Sequence, residues 1–205
     1  MYISMYIVFV LVSVAFIVIP GPNVLVIVST GIAQGRLRAL QTVAGTSTAM
    51  AIQLGLVAAG TSWFVQVVSD GFLVLKWSGV AWLLLLVLYH VRRAKAGDKE
   101  EKRVAAAASF FTGFITSLAN PKTFLFFSAF LPQFVISSKG YAYQIMVLSV
   151  SFLLLAIIID SAYAILAGRV WRLVGSSRVP ALHHRLSAVL YLVAGTWLAM
   201  LRRVS

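Results

Sequence analysis

The chain has 205 residues, of which 61% are hydrophobic and 11% charged, with a mean hydropathy of +0.97, a balance that excludes a water-soluble domain and reads as an integral membrane protein. Its 17 Lys and Arg against 5 Asp and Glu leave a formal charge of +12; in a soluble chain this would suggest nucleic acid, but here the basic residues fall between apolar runs, as membrane topology demands. No cysteine is present, which removes thiol redox chemistry, thiolate metal sites and disulfides.

A membrane-spanning helix needs about 20 apolar residues. Six segments qualify, at about 3–33, 39–63, 71–90, 106–134, 144–168 and 185–201, so the expected fold is all-α with six transmembrane helices. Met1 to Met5 carries no basic region and no small-residue cleavage site follows, so it is read as the start of the first span and not as a cleaved leader.

The first span contains Pro20-Gly21-Pro22-Asn23. Proline lacks a backbone donor and clashes with the carbonyl four residues earlier, so a helix must stop near Val18 and restart at Pro22. The fourth span repeats the device at Asn120-Pro121-Lys122. In hydrocarbon the freed N–H and C=O groups find no water, so such interruptions survive only against protein or a polar cavity.

Between spans three and four, a charged linker over about 91–104 divides the chain into halves of about 1–90 and 105–205, read together as one transporter domain. Twelve basic residues follow spans one, three and five: Arg36, Arg38, Arg92, Arg93, Lys95, Lys99, Lys102, Arg103, Arg169, Arg172, Arg178 and Arg185. Only Lys76, Lys139, Arg202 and Arg203 lie on the other side. The positive-inside rule makes the first group cytoplasmic and turns both termini outward. Three helices per half then enter from opposite sides as a 3+3 inverted repeat, and an offset of 99 places Pro22 on Pro121, Ser29 on Ser128 and Gln34 on Gln133. Paired interrupted segments point to a transporter's binding site.

The restarting half-helices present free N–H groups and a partial positive charge. Lys122 adds a full charge at a depth of about 18–24 Å from the start of span four, too deep to snorkel. Asp160 is the one acidic residue within any span; an intramembrane carboxylate faces the bundle interior and needs a partner. The half-helices ending near Ile19 and Ala119 leave carbonyls suited to a cation, and Asn23 and Asn120 offer both donors and acceptors. This polarity matches a zwitterion. Thr46, Ser47, Thr48 and Gln53 in span two read equally as cavity lining and as close helix packing, as does the Gly31/Gly35 pair. The tryptophans read mostly as an interfacial belt, and His183 and His184 as solvated. No catalytic triad spacing, metal cluster or phosphate loop is found, so no catalytic, metal or cofactor site is expected.

The run Pro20-Gly21-Pro22-Asn23-Val24, then Gly35-Arg36 and Ala44-Gly45, resembles the first signature of the lysine exporter (LysE) superfamily, in particular its homoserine/threonine efflux (RhtB-like) branch. Phe111-Thr112-Gly113-Phe114, Asn120-Pro121-Lys122, Phe126-Phe127 and Leu131-Pro132-Gln133-Phe134 are similar to the second, and Gly79 and Gly195 match glycines of its third and sixth spans. The resemblance implies proton-driven, cofactor-free export of amino acids or derivatives across the bacterial inner membrane, and no enzymatic activity. Where many members carry an acidic residue in span two, this chain has Met50 with Gln53 nearby, which implies a small neutral substrate such as threonine, homoserine or homoserine lactone. The expected substrate residues are Pro20, Gly21, Pro22, Asn23, Gln53, Asn120, Pro121, Lys122 and Asp160, with Asp160 also coupling protons. Homo-oligomerisation is compatible with this reading. A passive channel or a membrane-embedded enzyme of related inverted-repeat fold is the alternative.

Overall fold

The computed structural model describes residues 2–59, 71–96, 106–136, 140–174 and 180–200, and among these every regular element is helical. The helices are α1 (Ile3–Val18), α2 (Pro22–Gln34), α3 (Arg36–Ala58), α4 (Phe72–Ala96), α5 (Ala106–Leu118), α6 (Pro121–Leu125), α7 (Tyr141–Val174) and α8 (Pro180–Met200). After α6 the chain continues as a π turn, Phe126–Phe130, and a 3₁₀ turn, Leu131–Phe134. Most of the expected linker, Trp63 at the end of span two, and Lys139, Arg178, Arg202 and Arg203 lie outside the described residues, as do the side chains of Trp171 and His183.

The molecule exposes large apolar side chains and buries polar ones within its hydrophobic core. Ile3, Val74 and Ile158 are 80%, 73% and 65% exposed, whereas Ser13, Thr42, Thr46 and Gln53 are fully buried. Water would reject that distribution; hydrocarbon accepts it. Leu73–Arg92 in α4 and Tyr141–Arg169 in α7 are each long and apolar enough to cross a membrane, and α1 with α2 make a third if the pair, bent by 51°, is one span. The six expected spans are thus not all apolar rods. With 23 residues α3 has the length, but it spends Thr42, Thr46, Ser47 and Gln53 on buried contacts with its neighbours.

The heart of the bundle is α2, nine of whose 13 residues are buried, packed among α3, α5, α7 and α8. Its junction with α3 is a single residue, Gly35, at φ 85°, where a side chain would be strained. The α3–α5 and α4–α8 pairs are the most extensive contacts. In the first, Gly45 abuts the Phe110 carbonyl and Gly113 abuts that of Thr42, so neither position has room for a Cβ. An aromatic cluster of Phe16, Phe126, Phe127, Phe130 and Phe152 ties α1 and α7 to the π turn.

Candidate functional site

Both proline stretches interrupt their helices. At the first, Ile19–Gly21 leave the helix; Gly21 is extended and offers no side-chain cap, and Pro22 takes the first helical position, where its missing donor costs nothing. At the second, Asn120 caps α6 by accepting the Lys122 backbone N–H at 3.0 Å, and the Thr123 hydroxyl donates to the Asn120 carbonyl at 2.8 Å. The two interruptions touch. Asn120 Nδ2 donates to Asn23 Oδ1 at 3.0 Å, and Asn23 Nδ2 donates to the Ser117 hydroxyl at 3.1 Å. Gln53 Nε2 reaches across from α3 to the Ser117 carbonyl at 3.0 Å. This buried network connects residues about 65 to 97 positions apart, which satisfies polar groups that would otherwise be orphaned inside the bundle.

Lys122 leans from α6 over the carboxyl end of α1. Its ammonium donates to the carbonyls of Phe16 and Ile19, both at 3.0 Å, and sits 4.3 Å from the Phe16 ring centre and 5.3 Å from that of Trp197. The carbonyl end expected to attract a guest cation is therefore occupied by the protein's own. The Tyr163 hydroxyl donates to the adjacent Val18 carbonyl at 3.0 Å. Asp160 on α7 is 3% exposed and close enough to Lys122 for each to feel the other's charge. Among the described residues it has no hydrogen-bond partner and no cation within ion-pairing distance. A cavity of about 30 Å³ lies between them, bounded by Gly21, Asn23, Met50, Asn120, Lys122 and Asp160 together with Phe16 and Phe152. It has room for water. An amino acid requires the walls to move.

Six of the nine expected substrate residues thus meet: Gly21, Asn23, Asn120, Lys122 and Asp160 at the cavity, with Pro121 opening α6. Pro22 is buried at the start of α2, and Pro20 is exposed; neither lines the cavity. Gln53 does not line it either, because its amide is engaged at the end of α5. Thr46 donates to the Val43 carbonyl of its own helix, and beside it Gly45 makes the close helix contact, so this part of α3 serves packing. Three further expectations need correction. Trp197 packs inward: its ring would lie 2.7 Å from a Cβ on Gly21. Trp82 likewise turns inward, donating to the Thr116 hydroxyl at 3.1 Å. His184 is not simply solvated, since its Nδ1 is 3.0 Å from His90 Nδ1. Lys76, counted among the charges on the outer side and lying within span three, is a buried residue of α4. Phe16, Tyr163 and Trp197 had no local signal, because each acts on a residue more than 100 positions away.

The family model described as LysE type translocator matches residues 14–201. A homoserine/homoserine lactone efflux protein of Salmonella typhimurium is 28% identical over 187 residues, covering 89% of this chain and 90% of the relative. A leucine efflux protein of Klebsiella pneumoniae is 30% identical over 150 residues, 70% of this chain and 71% of the relative. An uncharacterized membrane protein of Vibrio cholerae is 24% identical over 199 residues, 96% of this chain and 97% of its own length. No solved structure matches.

Proposed function

The chain belongs to the LysE type translocator family, and on that premise we propose that it is a secondary active exporter of small, net-neutral amino acids or their derivatives across the bacterial inner membrane. Homoserine and leucine, the amino acids named for the relatives, and threonine, an isomer of homoserine, define the class, together with the single acid within the spans. The observation that carries the reading is a pair of opposite charges lining one cavity. Lys122 and Asp160 both border it, and among the described residues Asp160 has no ion-pair partner. An intramembrane carboxylate is costly to insert, by about 2.5–3.5 kcal/mol, and is retained for a task.

In the proposed mechanism Asp160 takes either the substrate ammonium or a proton. An ammonium has three donors, and Lys122 spends two on the α1 carbonyls. The third, with the amino end of α2 at Pro22, is left for a substrate carboxylate. Asn23 and Asn120 shape the space between. A cavity of about 30 Å³ is too small for the guest, which supports alternating access through a tightly closed state. The packing pattern supports a 3+3 inverted repeat of six spans: exchanging halves turns the α1–α7 contact into α5–α3 and leaves α3–α7 and α4–α8 unchanged. The end carrying Arg36, Arg38 and Arg92 then faces the cytoplasm and both termini face out.

Asp160→Asn keeps the shape and removes the charge. In proteoliposomes with an imposed pH gradient, the variant is expected to fold and to show only background homoserine or homoserine lactone accumulation. Accumulation at the parental rate would sink the assignment. Uptake by the parent that persists unchanged with a protonophore would instead favour a channel.

A further inference from the structure

A second cavity, of about 220 Å³, lies between α2, α4, α5 and α8. It is several times larger than the space at the helix breaks and sits toward the arginine-bearing end, since Gln34 precedes Arg36 and His90 precedes Arg92 by two residues. Its walls include Thr30, Gln34, His90, Ser109, Thr112 and Tyr191. Ser109 is 3% exposed, and among the described residues neither its hydroxyl nor the buried Gln34 Oε1 has a hydrogen-bond partner. Buried polar atoms without partners are rare in native proteins and call for something to bond. The volume exceeds what one water needs.

The chemistry of the walls narrows the occupant. Among the described residues, the lining holds no Asp, Glu, Lys or Arg, so an ion with net charge would meet no full counter-charge. Hydroxyls and an amide stand beside Leu86, Ala108 and the Tyr191 ring, a mixture suited to a small polar molecule of no net charge with a compact apolar part.

The cavity also lies on a line to the breaks. Thr30 and Gln34 stand about 10 and 16 Å beyond Asn23 along α2, and Thr112 and Ser109 about 12 and 16 Å before Asn120 along the α5 run. Between the two spaces stands the hydrogen-bonded group Asn23, Ser117 and Asn120. We propose that the larger cavity is a loading site that holds a net-neutral amino acid on the arginine-bearing side before it passes the Asn23–Ser117–Asn120 cluster to reach Asp160. This rests on the exporter reading above and adds a second binding site to it.

The chain has no cysteine, so Ala108→Cys, at the exposed rim of the cavity, introduces a single thiol. In purified protein, saturating homoserine is expected to slow its alkylation by a maleimide several-fold. The slowing should persist in an Asp160→Asn background and disappear when Ser109→Leu fills the cavity. In proteoliposomes Ser109→Leu should raise KM for homoserine several-fold with kcat little changed. Unchanged alkylation with homoserine, in a protein whose parent exports it, overturns the loading site and leaves the exporter reading standing. Protection in a parent that exports nothing keeps the site and overturns the exporter reading; loss of both overturns both.

Discussion

At Asn120 the chain supplies its own caps: a side-chain oxygen for the Lys122 N–H, a Thr123 hydroxyl for the Asn120 carbonyl, and a backbone bond from Asn120 N–H to Ser117. At Gly21 it supplies no side-chain cap; at the end of α1 the backbone bond runs from Ile19 N–H to the Ala15 carbonyl. The carbonyls of Phe16, Val18 and Ile19 are satisfied by Lys122 and Tyr163, which lie 103 to 145 residues away. The second interruption is therefore capped locally, whereas the first, set by its prolines, has its free carbonyls satisfied only once α6 and α7 have docked against it. A break fastened by one lysine can also be unfastened by moving that lysine; under the proposed alternating access, the carboxyl end of α1 would be where the chain bends.

The largest expected effect is that of Lys122→Met, which keeps the side-chain bulk and removes both bonds to α1. Hydrogen bonds to charged groups contribute about 1.5–3 kcal/mol each, partly recovered by water, so a net loss of roughly 2–4 kcal/mol is expected. In a chain of this size that lowers the melting temperature by about 5–15 °C, measured by thermal unfolding in detergent. A melting temperature unchanged from the parent would mean that the first break holds itself, and the contrast between the two would collapse.

Gly21→Ala tests the same dependence from the other side. Gly21 is at φ −123° and ψ −173°, open to any residue, so backbone strain is not at issue. The new Cβ would instead sit 2.7 Å from the Trp197 ring and 3.3 Å from Lys122 Cδ. Overpacking of this kind costs about 1–3 kcal/mol. The loss should be largely recovered in combination with Trp197→Leu, a coupling read by a double-mutant cycle. Equal losses with and without Trp197 would remove the ring from the site.

These contrasts mark what could be read from the residues alone. Proline acts on its own turn, so both interruptions were legible, as was the inward placement of Lys122 and Asp160, because hydrocarbon expels unpartnered charge. The partners were not. That Lys122 would seat on α1's carbonyls, that Gln53 would cap α5 in place of lining the cavity, and that Trp197 would press on Gly21 depend on the register between helices, which no local pattern encodes. The π turn at Phe126–Phe130 packs its rings against Phe16 and Phe152; only Pro132, which lacks a donor and clashes with the carbonyl four residues back, hinted that the helix could not run on regularly there. For the larger cavity a faint signal existed: Gln34, Ser109 and Thr112 are polar residues near the same ends of apolar runs.

Asn120→Ala should cost less than the lysine change, about 0.5–2 kcal/mol, the usual worth of an N-cap. Asn120→Ser divides that figure, because serine still caps α6 but is too short to reach Asn23. If the local cap dominates, the serine variant recovers most of the lost melting temperature while export stays impaired through the severed Asn23 link. Recovery of neither would show that the second break also leans on its neighbour.

The smallest effect is expected from Tyr163→Phe, and its size decides what surrounds the first break. The change removes one neutral hydrogen bond to the Val18 carbonyl, worth about 0.5–1.5 kcal/mol in water-accessible surroundings, where solvent takes the vacated acceptor. In hydrocarbon no substitute exists, and the same orphaned carbonyl costs several kcal/mol. A fall in melting temperature well below that of Lys122→Met therefore places the carboxyl end of α1 in a wet vestibule, as a substrate path beside Asp160 requires. A fall as large as the lysine variant's would put this end in lipid, and the guest would have to reach Asp160 by another wall of the cavity.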